Sequence, residues 1–340
     1  MDPLTHSTLG ACCAFAVARP GLRRAAALAG VVAGLLPDAD VFIRSSSDSL
    51  LGVEYHRHFT HSFLFQPVTA LLAALVASLL LRFRVPWKSL FIPALVAGLS
   101  HILCDAWTSY GTRLWWPFTD TRVAWDMVSI IDPFITLPLL VGLVWALFAN
   151  QRKPVTVALG WLGIYLTLAI VQRERAEAVV RDVAAQRGHS IDRITAKPSF
   201  ANILVWRGIY RSGGRYYAVA VRPGLAESKF IEGESVKVLD PSVDLPFLGD
   251  NAAQQRDLRR FTHFSDGWVV LMADGTGKVI GDVRYSLLPQ RMAPLWGIVL
   301  DPQQTKSGAQ WINLRVVDKR DPSTLWALIR GEGFTPAPGG

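Results

Sequence analysis

The sequence predicts an α-helical membrane bundle followed by a small, mostly β (α+β) soluble domain. Three observations carry this. The 340 residues are 51% hydrophobic with a mean hydropathy of +0.27. The long apolar runs fall within residues 1–171, whereas 172–340 has the mixed pattern of a soluble chain. Finally, His and Asp are threaded between the apolar runs, and five of the seven histidines lie in the first 101 residues. Ionisable groups beside membrane segments are expensive and mark function.

A spanning helix needs about 20 apolar residues. Six membrane segments are expected. Leu9–Ala18 and Ala25–Leu36 are short, either tilted spans or a re-entrant pair, and the second stops at Pro37. Phe63–Leu81, Leu90–Ala106, Met127–Ala149 and Val155–Val171 are long enough to cross. Arg173–Arg187 reads as a helix leaving the membrane. Beyond it, Ile203–Arg211 and Arg215–Arg222 flank Ser212-Gly213-Gly214, and Trp268–Ala273 and Val279–Tyr285 flank Asp274-Gly275-Thr276-Gly277, two hairpin patterns. Leu295–Leu300 and Trp311–Val317 add candidate strands. The expected domains are thus 1–171 in the membrane, 172–330 outside the cytoplasm, and a frayed tail at 331–340.

The net charge of +8 would suit a nucleic-acid binder. Its placement argues otherwise. Arg19, Arg23 and Arg24, then Arg82, Arg84 and Lys88, then Arg152 and Lys153 occupy short loops without acidic residues. The positive-inside rule makes those loops cytoplasmic, and no nucleic acid is expected. Alternation puts His6, Asp38, Asp40, the His56–His61 run, His101, Asp105, Asp126 and Asp132, with the soluble domain, on the outer face of the membrane. Cys12, Cys13 and Cys104 form no CxxC pattern and suggest no disulfide framework. The start lacks the charged region of a cleavable signal peptide.

These outer residues are metal-binding types. His101 and Asp105, at i and i+4, share one helix face. Asp38 and Asp40 offer oxygen ligands just past a helix end, against the plainer reading of a capped turn. In His56-Arg57-His58-Phe59-Thr60-His61-Ser62, at most two or three histidines ligate. Arg57 has the planar fork that suits a phosphate or carboxylate, or meets lipid headgroups. Thr60, Asp126 and Asp132 are placed as hydrogen-bonding support for ligands. His189 and His263 have no ligand-like neighbours in sequence.

Together, His6, Pro37-Asp38-Ala39-Asp40, His56-Arg57-x-Phe59-Thr60-His61-Ser62, and Ser100-His101-Ile102-Leu103-Cys104-Asp105 followed by Thr108, Gly111 and Pro117 resemble the inner-membrane-associated, metal-dependent hydrolases described as LexA-binding (YdjM-like). The resemblance covers about residues 1–140. Longer members also carry Asp126, Ile131-Asp132-Pro133 and a soluble domain similar to Pro198-x-x-Asn202-x-x-x-Trp206-Arg207. His58 stands where the family has Gly, which ranks it below His56 and His61. The resemblance implies a membrane-bound metal-dependent hydrolase, distantly similar to zinc-dependent phospholipases C.

The expectation is therefore a hydrolase using a metal-activated water at the outer membrane interface. His6, Asp38, Asp40, His61, His101 and Asp105 would hold one or two divalent ions, zinc by preference. His56 would serve as a further ligand or base and Arg57 would steady a phosphate. The expected partners are membrane lipid and an amphiphilic substrate, a phospholipid or lipid-linked phosphate ester. The competing reading is a non-enzymatic sensor or scaffold with a structural metal.

Overall fold

The computed structural model describes residues 1–224, 227–272, 278–304 and 307–338. They form two compact units. The first comprises Met1–Phe42, Tyr55–Val171 and Phe200–Ile203, and the second comprises Ile43–Glu54, Gln172–Ser199 and Leu204–Gly340.

The first unit is helical. Helix α1 (Pro3–Val17) starts at Asp2, whose carboxylate accepts from the Leu4 and Thr5 amides, with proline at the first position. Helix α2 (Arg23–Leu35) follows a short 3-10 turn at Pro20–Leu22, and Pro37 converts its end into a second such turn, Pro37–Phe42. A short helix α3 (Leu51–Tyr55) and a turn at Phe59–His61 lead into α4 (Gln66–Leu80), α5 (Trp87–Trp107), α6 (Pro133–Ala149) and α7 (Lys153–Gln186). Alanines of α1, α2, α4 and α5, among them Ala14, Ala29, Ala73 and Ala94, make a closely packed seam. Small residues let helices approach where apolar surroundings provide no hydrophobic drive. Leu71, Leu72, Leu75, Val76 and Leu79 of α4 stay exposed, as lipid-facing residues would.

Three helical stretches are long and apolar enough to cross a membrane: Pro20–Phe42, Trp87–Trp107 and Lys153–Gln186. A fourth span exists if Leu51–His61 and Gln66–Leu80, bent by 84°, count as one. The expected six segments are therefore three or four possible spans. The 15 residues of α1 extend only about 22 Å, short of a hydrocarbon core of about 30 Å. The 17-residue α6 also falls short.

Two further expectations change. Residues 127–132 do not extend α6: Asp132 caps it by accepting from the Phe134 amide, and Pro133 opens it. Asp126, expected to begin this helix, has a left-handed backbone (φ 53°) ahead of it. The last span and the exit helix are one continuous 34-residue helix.

The second unit contains two antiparallel sheets. The first runs β1 (Arg193–Pro198), β2 (Trp206–Ser212), β3 (Arg215–Arg222), β4 (Lys229–Lys237), with a two-residue strand Thr335–Pro336 on the β4 edge. The tail expected to fray thus pairs with Phe230 and Lys229. The β2–β3 hairpin turns at Gly213 and Gly214, both at positive φ, which suits a two-residue turn. The second sheet is β5 (Val269–Met272), β6 (Lys278–Asp282), β7 (Trp296–Leu300) and β8 (Gln310–Asn313). Its Asp274–Gly277 turn lies outside the described residues, but β5 and β6 pair as a hairpin would. Helices α8 (Pro241–Asp244), α9 (Ala252–Phe264) and α10 (Asp321–Arg330) complete the unit.

Ile209, Tyr216 and Ala218 from one sheet pack with Trp268, Val270, Val283 and Met292 from or beside the other. Buried Arg207 ties β2 to the chain after β6. Its guanidinium donates to the carbonyls of Pro289 (2.6 Å), Arg291 (2.5 Å) and Val283 (2.9 Å). Burial pulls its pKa down to about 9.

Candidate metal centre

Three local structures bring the site together. The stop at Pro37 turns Asp38 and Asp40 away from α2. The last turns of α5 present His101 and Asp105 on one face. The turn Phe59–His61 brings His61 in from a third direction.

Asp38, His61, His101 and Asp105 converge, with ligand atoms all within 4.8 Å of one another. His61 Nε2 lies 3.0 Å from His101 Nε2, 3.2 Å from Asp105 Oδ2 and 3.4 Å from Asp38 Oδ1. His101 Nε2 lies 3.6 Å from Asp105 Oδ2 and 3.7 Å from Asp38 Oδ1. Four ligands at the usual zinc distances of about 2.1 Å, set tetrahedrally, stand about 3.4 Å apart. The spacing therefore suits one ion in the middle.

Hydrogen bonding aims the lone pairs. His101 Nδ1 is 2.8 Å from the Gly34 carbonyl, so it carries the proton and leaves Nε2 as an acceptor. Gly34 lacks a side chain for a reason: a Cβ there would collide with the His6 carbonyl, so only glycine lets α2 close on α1. His61 Nδ1 lies 3.2 Å from Asp40 Oδ2 and 2.9 Å from Thr60 Oγ, again leaving Nε2 directed inward. Asp105 Oδ1 is occupied by Arg57 Nη2 (2.9 Å), His6 Nε2 (3.0 Å) and the Met1 amino group. Its Oδ2 is buried with no hydrogen-bond partner among the described residues. A carboxylate oxygen in that position is costly unless something positive meets it. The donors fit a divalent ion, with three side chains closed off and Asp38 23% exposed.

Asp40 occupies a supporting position rather than the four-residue group. Its oxygens accept from the Arg57 amide (2.9 Å) and Thr60 Oγ (2.9 Å), and Oδ1 lies 2.8 Å from His56 Nδ1. Asp38, Asp40 and His56 form a second, more open group of potential ligands. His6 adjoins the centre, stacked on His101 at 3.8 Å, but belongs to neither group. His58 packs instead against Tyr55 and Trp116, at 5.0 and 5.6 Å.

Arg57 departs from the expected phosphate contact. It is buried, pairs with Asp105, donates to Thr108 Oγ (2.9 Å) and lies over the Tyr110 ring. It holds Asp105 in place. The Thr60 hydroxyl lies between Asp40 and His61, 2.9 Å from each. Asp132, expected as similar support, instead accepts from Tyr165 (2.9 Å) as well as its capping amide. Asp126 lies outside both ligand groups. Sequence reasoning missed the Gly34 carbonyl, which carries no side-chain signal, and Tyr110, whose ring meets both Arg57 and His56.

The basic loops gather at the other ends of the helices. Arg23 and Arg24 donate to the Asn150 and Leu147 carbonyls, and Arg152 donates to that of Ala18.

A family model described as "YdjM inner membrane protein" matches residues 1–176, just over half of the chain. The chain belongs to the YdjM inner membrane protein family. Inner membrane protein YbcI of Escherichia coli K12 is 30% identical over 131 residues, 37% of this chain and 75% of the relative. Uncharacterized protein YfhP of Bacillus subtilis 168 is 25% identical over 152 residues, 44% of this chain and 43% of the relative. The match thus spans less than half of the Bacillus protein. No solved structure matches. This YdjM-family chain is an inner membrane protein with several candidate membrane helices and a buried His/Asp group that can hold a metal ion. The two sheets of the second unit lie beyond the family match.

Proposed function

We propose that the protein is a zinc-dependent hydrolase whose centre faces the outer side of the inner membrane and acts on a phospholipid or lipid-linked phosphate ester. The observation that carries this is the donor set. Structural zinc sites are mostly rich in cysteine, whereas many catalytic ones use histidine with or without a carboxylate. Here two imidazoles and two carboxylates converge, and Cys104 beside Asp105 takes no part, its sulfur lying 3.1 Å from the Met1 sulfur.

A divalent ion held by Asp38, His61, His101 and Asp105 would lower the pKa of a bound water to about 7 and polarise a substrate oxygen. The chain's own groups supply the rest. Asp38 is the accessible edge of the group, so substrate and water approach there. His56, with Nδ1 held by Asp40 and its side chain 26% exposed, has Nε2 available to take or return a proton. With Asp38 and Asp40 it would alternatively hold a second ion. Arg57 and Thr108 keep Asp105 fixed. The basic loops, facing the cytoplasm by charge, support an outward centre at headgroup level, where membrane lipid is both surroundings and substrate source.

A sensor or scaffold with a structural metal is favoured by one observation: four protein donors would close a tetrahedral ion. Turnover separates the two readings. Zinc-loaded protein in lipid nanodiscs, supplied with phosphodiester and lipid phosphate esters, is expected to hydrolyse at least one class. His56→Ala should lower kcat by about 10²-fold or more while retaining zinc. Bound zinc without turnover across the panel would favour the structural reading.

A further inference from the structure

We infer that Arg260, in α9 of the second unit, is a positioning residue for the metal centre, acting through the strap Ile43–Glu54. This rests on the metal reading above. The strap leaves the chain just after the Asp38–Asp40 turn and re-enters just before His56, yet it is part of the second unit.

It is built into that unit. Ser49 behaves as an added residue on the edge of β8: its hydroxyl donates to the Ala309 carbonyl (2.9 Å) and accepts from the Trp311 amide (2.9 Å). Leu50 is buried. Arg260 then clamps both ends of the inner stretch. Its Nε and Nη2 reach Glu54 at 2.9 and 2.5 Å, and Nη1 and Nη2 each reach Asp48 at 3.0 Å. The buried Asp257 fixes the guanidinium from behind at 3.1 Å, and its other oxygen accepts from the Ala309 amide at 3.0 Å. One planar fork thus joins strap, helix and sheet edge, a geometry that lysine does not reproduce.

The physical consequence follows from connectivity. Asp38 and His61 must converge on one ion, and the chain between them would otherwise be a loop whose closure costs entropy. Holding its middle in a fixed shape removes part of that cost. Arg260 therefore raises metal affinity without touching the centre. Linkage requires the reverse: metal binding steadies the strap by the same factor. The β-rich unit becomes a means by which whatever engages it can tune the centre.

The test uses the full chain in detergent micelles with Zn²⁺ as probe, measured by chelator competition. Arg260→Ala should weaken zinc binding about tenfold, within the usual range of couplings, with unchanged stoichiometry at saturation. Arg260→Lys should recover only part. Arg259→Ala, on an exposed neighbour, should match wild type. Independently of any variant, zinc should slow hydrogen exchange of amides 48–54 in the wild-type chain. Equal affinity in Arg260→Ala and wild type overturns the inference. If the variant does not fold, unchanged exchange of the strap on zinc addition overturns it. Absence of zinc binding by wild type removes the metal reading itself, a distinct result.

Discussion

The centre works by division of labour among carboxylates. Asp38 and Asp105 stand where an ion would be met, whereas Asp40 spends its oxygens on Arg57, Thr60, His56 and His61. Removing a group that orients a ligand typically costs 10- to 100-fold in metal affinity, and removing the ligand costs more. Asp40→Ala should therefore weaken zinc binding by about 10- to 100-fold without abolishing it. His58→Ala, away from the centre, should leave zinc content unchanged. Titration of each purified variant against a chelator checks both. The ligand types and the i, i+4 pair were legible in the sequence because side-chain chemistry and helix period are local. The role of Arg57 was not: its guanidinium is absorbed by Asp105 and Tyr110, residues about fifty positions away, and spacing carries no information about that.

At the scale of elements, the decisive contact is α1 against α2. Gly34 gives its carbonyl to His101 and its missing side chain to His6. Gly34→Ala should push the helices apart, costing about 1–3 kcal/mol as an overpacked site does, read as a lower thermal midpoint together with weakened zinc binding. The strap has its own pH dependence. Burial alone would raise the Asp48 pKa, but hydrogen bonding to Arg260 outweighs it and the carboxyl is depressed. A depressed carboxyl adds stability above its unfolded value, about 3.9, and loses it as pH falls through the folded value. The thermal-midpoint difference between wild type and Asp48→Asn should thus be largest near neutrality, begin to shrink as the pH drops below about 4, and vanish only below the depressed folded value. A difference that grows in acid would refute the clamp. Apolar runs announced α2, α4, α5 and α7 in the sequence. The start of α6 was misplaced because Met127, Val128, Ile130 and Ile131 are apolar yet precede the Asp132 cap and Pro133, and composition cannot distinguish an irregular apolar segment from a helical turn.

Across the whole molecule, charge segregation is the organising feature. Basic loops cluster at one end of the helices, and His and Asp lie at the other. Single cysteines at Arg84 and Ser47, in a background lacking Cys12, Cys13 and Cys104, should label from opposite sides of intact inner-membrane vesicles; labelling from the same side would overturn the proposed orientation. The two-part organisation was readable from hydropathy, because membrane and water impose different compositions. The exchange of Ile43–Glu54 into the second unit and of Phe200–Ile203 into the first was not, since neither segment differs in composition from an ordinary loop. The central claim is that Asp38, His61, His101 and Asp105 hold a metal ion. Elemental analysis of the full-length protein, purified without chelator and reconstituted with zinc, tests it most directly. One zinc ion or more per chain is predicted, with the ion at this centre lost in His101→Ala and Asp105→Ala. Zinc content unchanged in both variants, or absent from the wild-type protein, would contradict it.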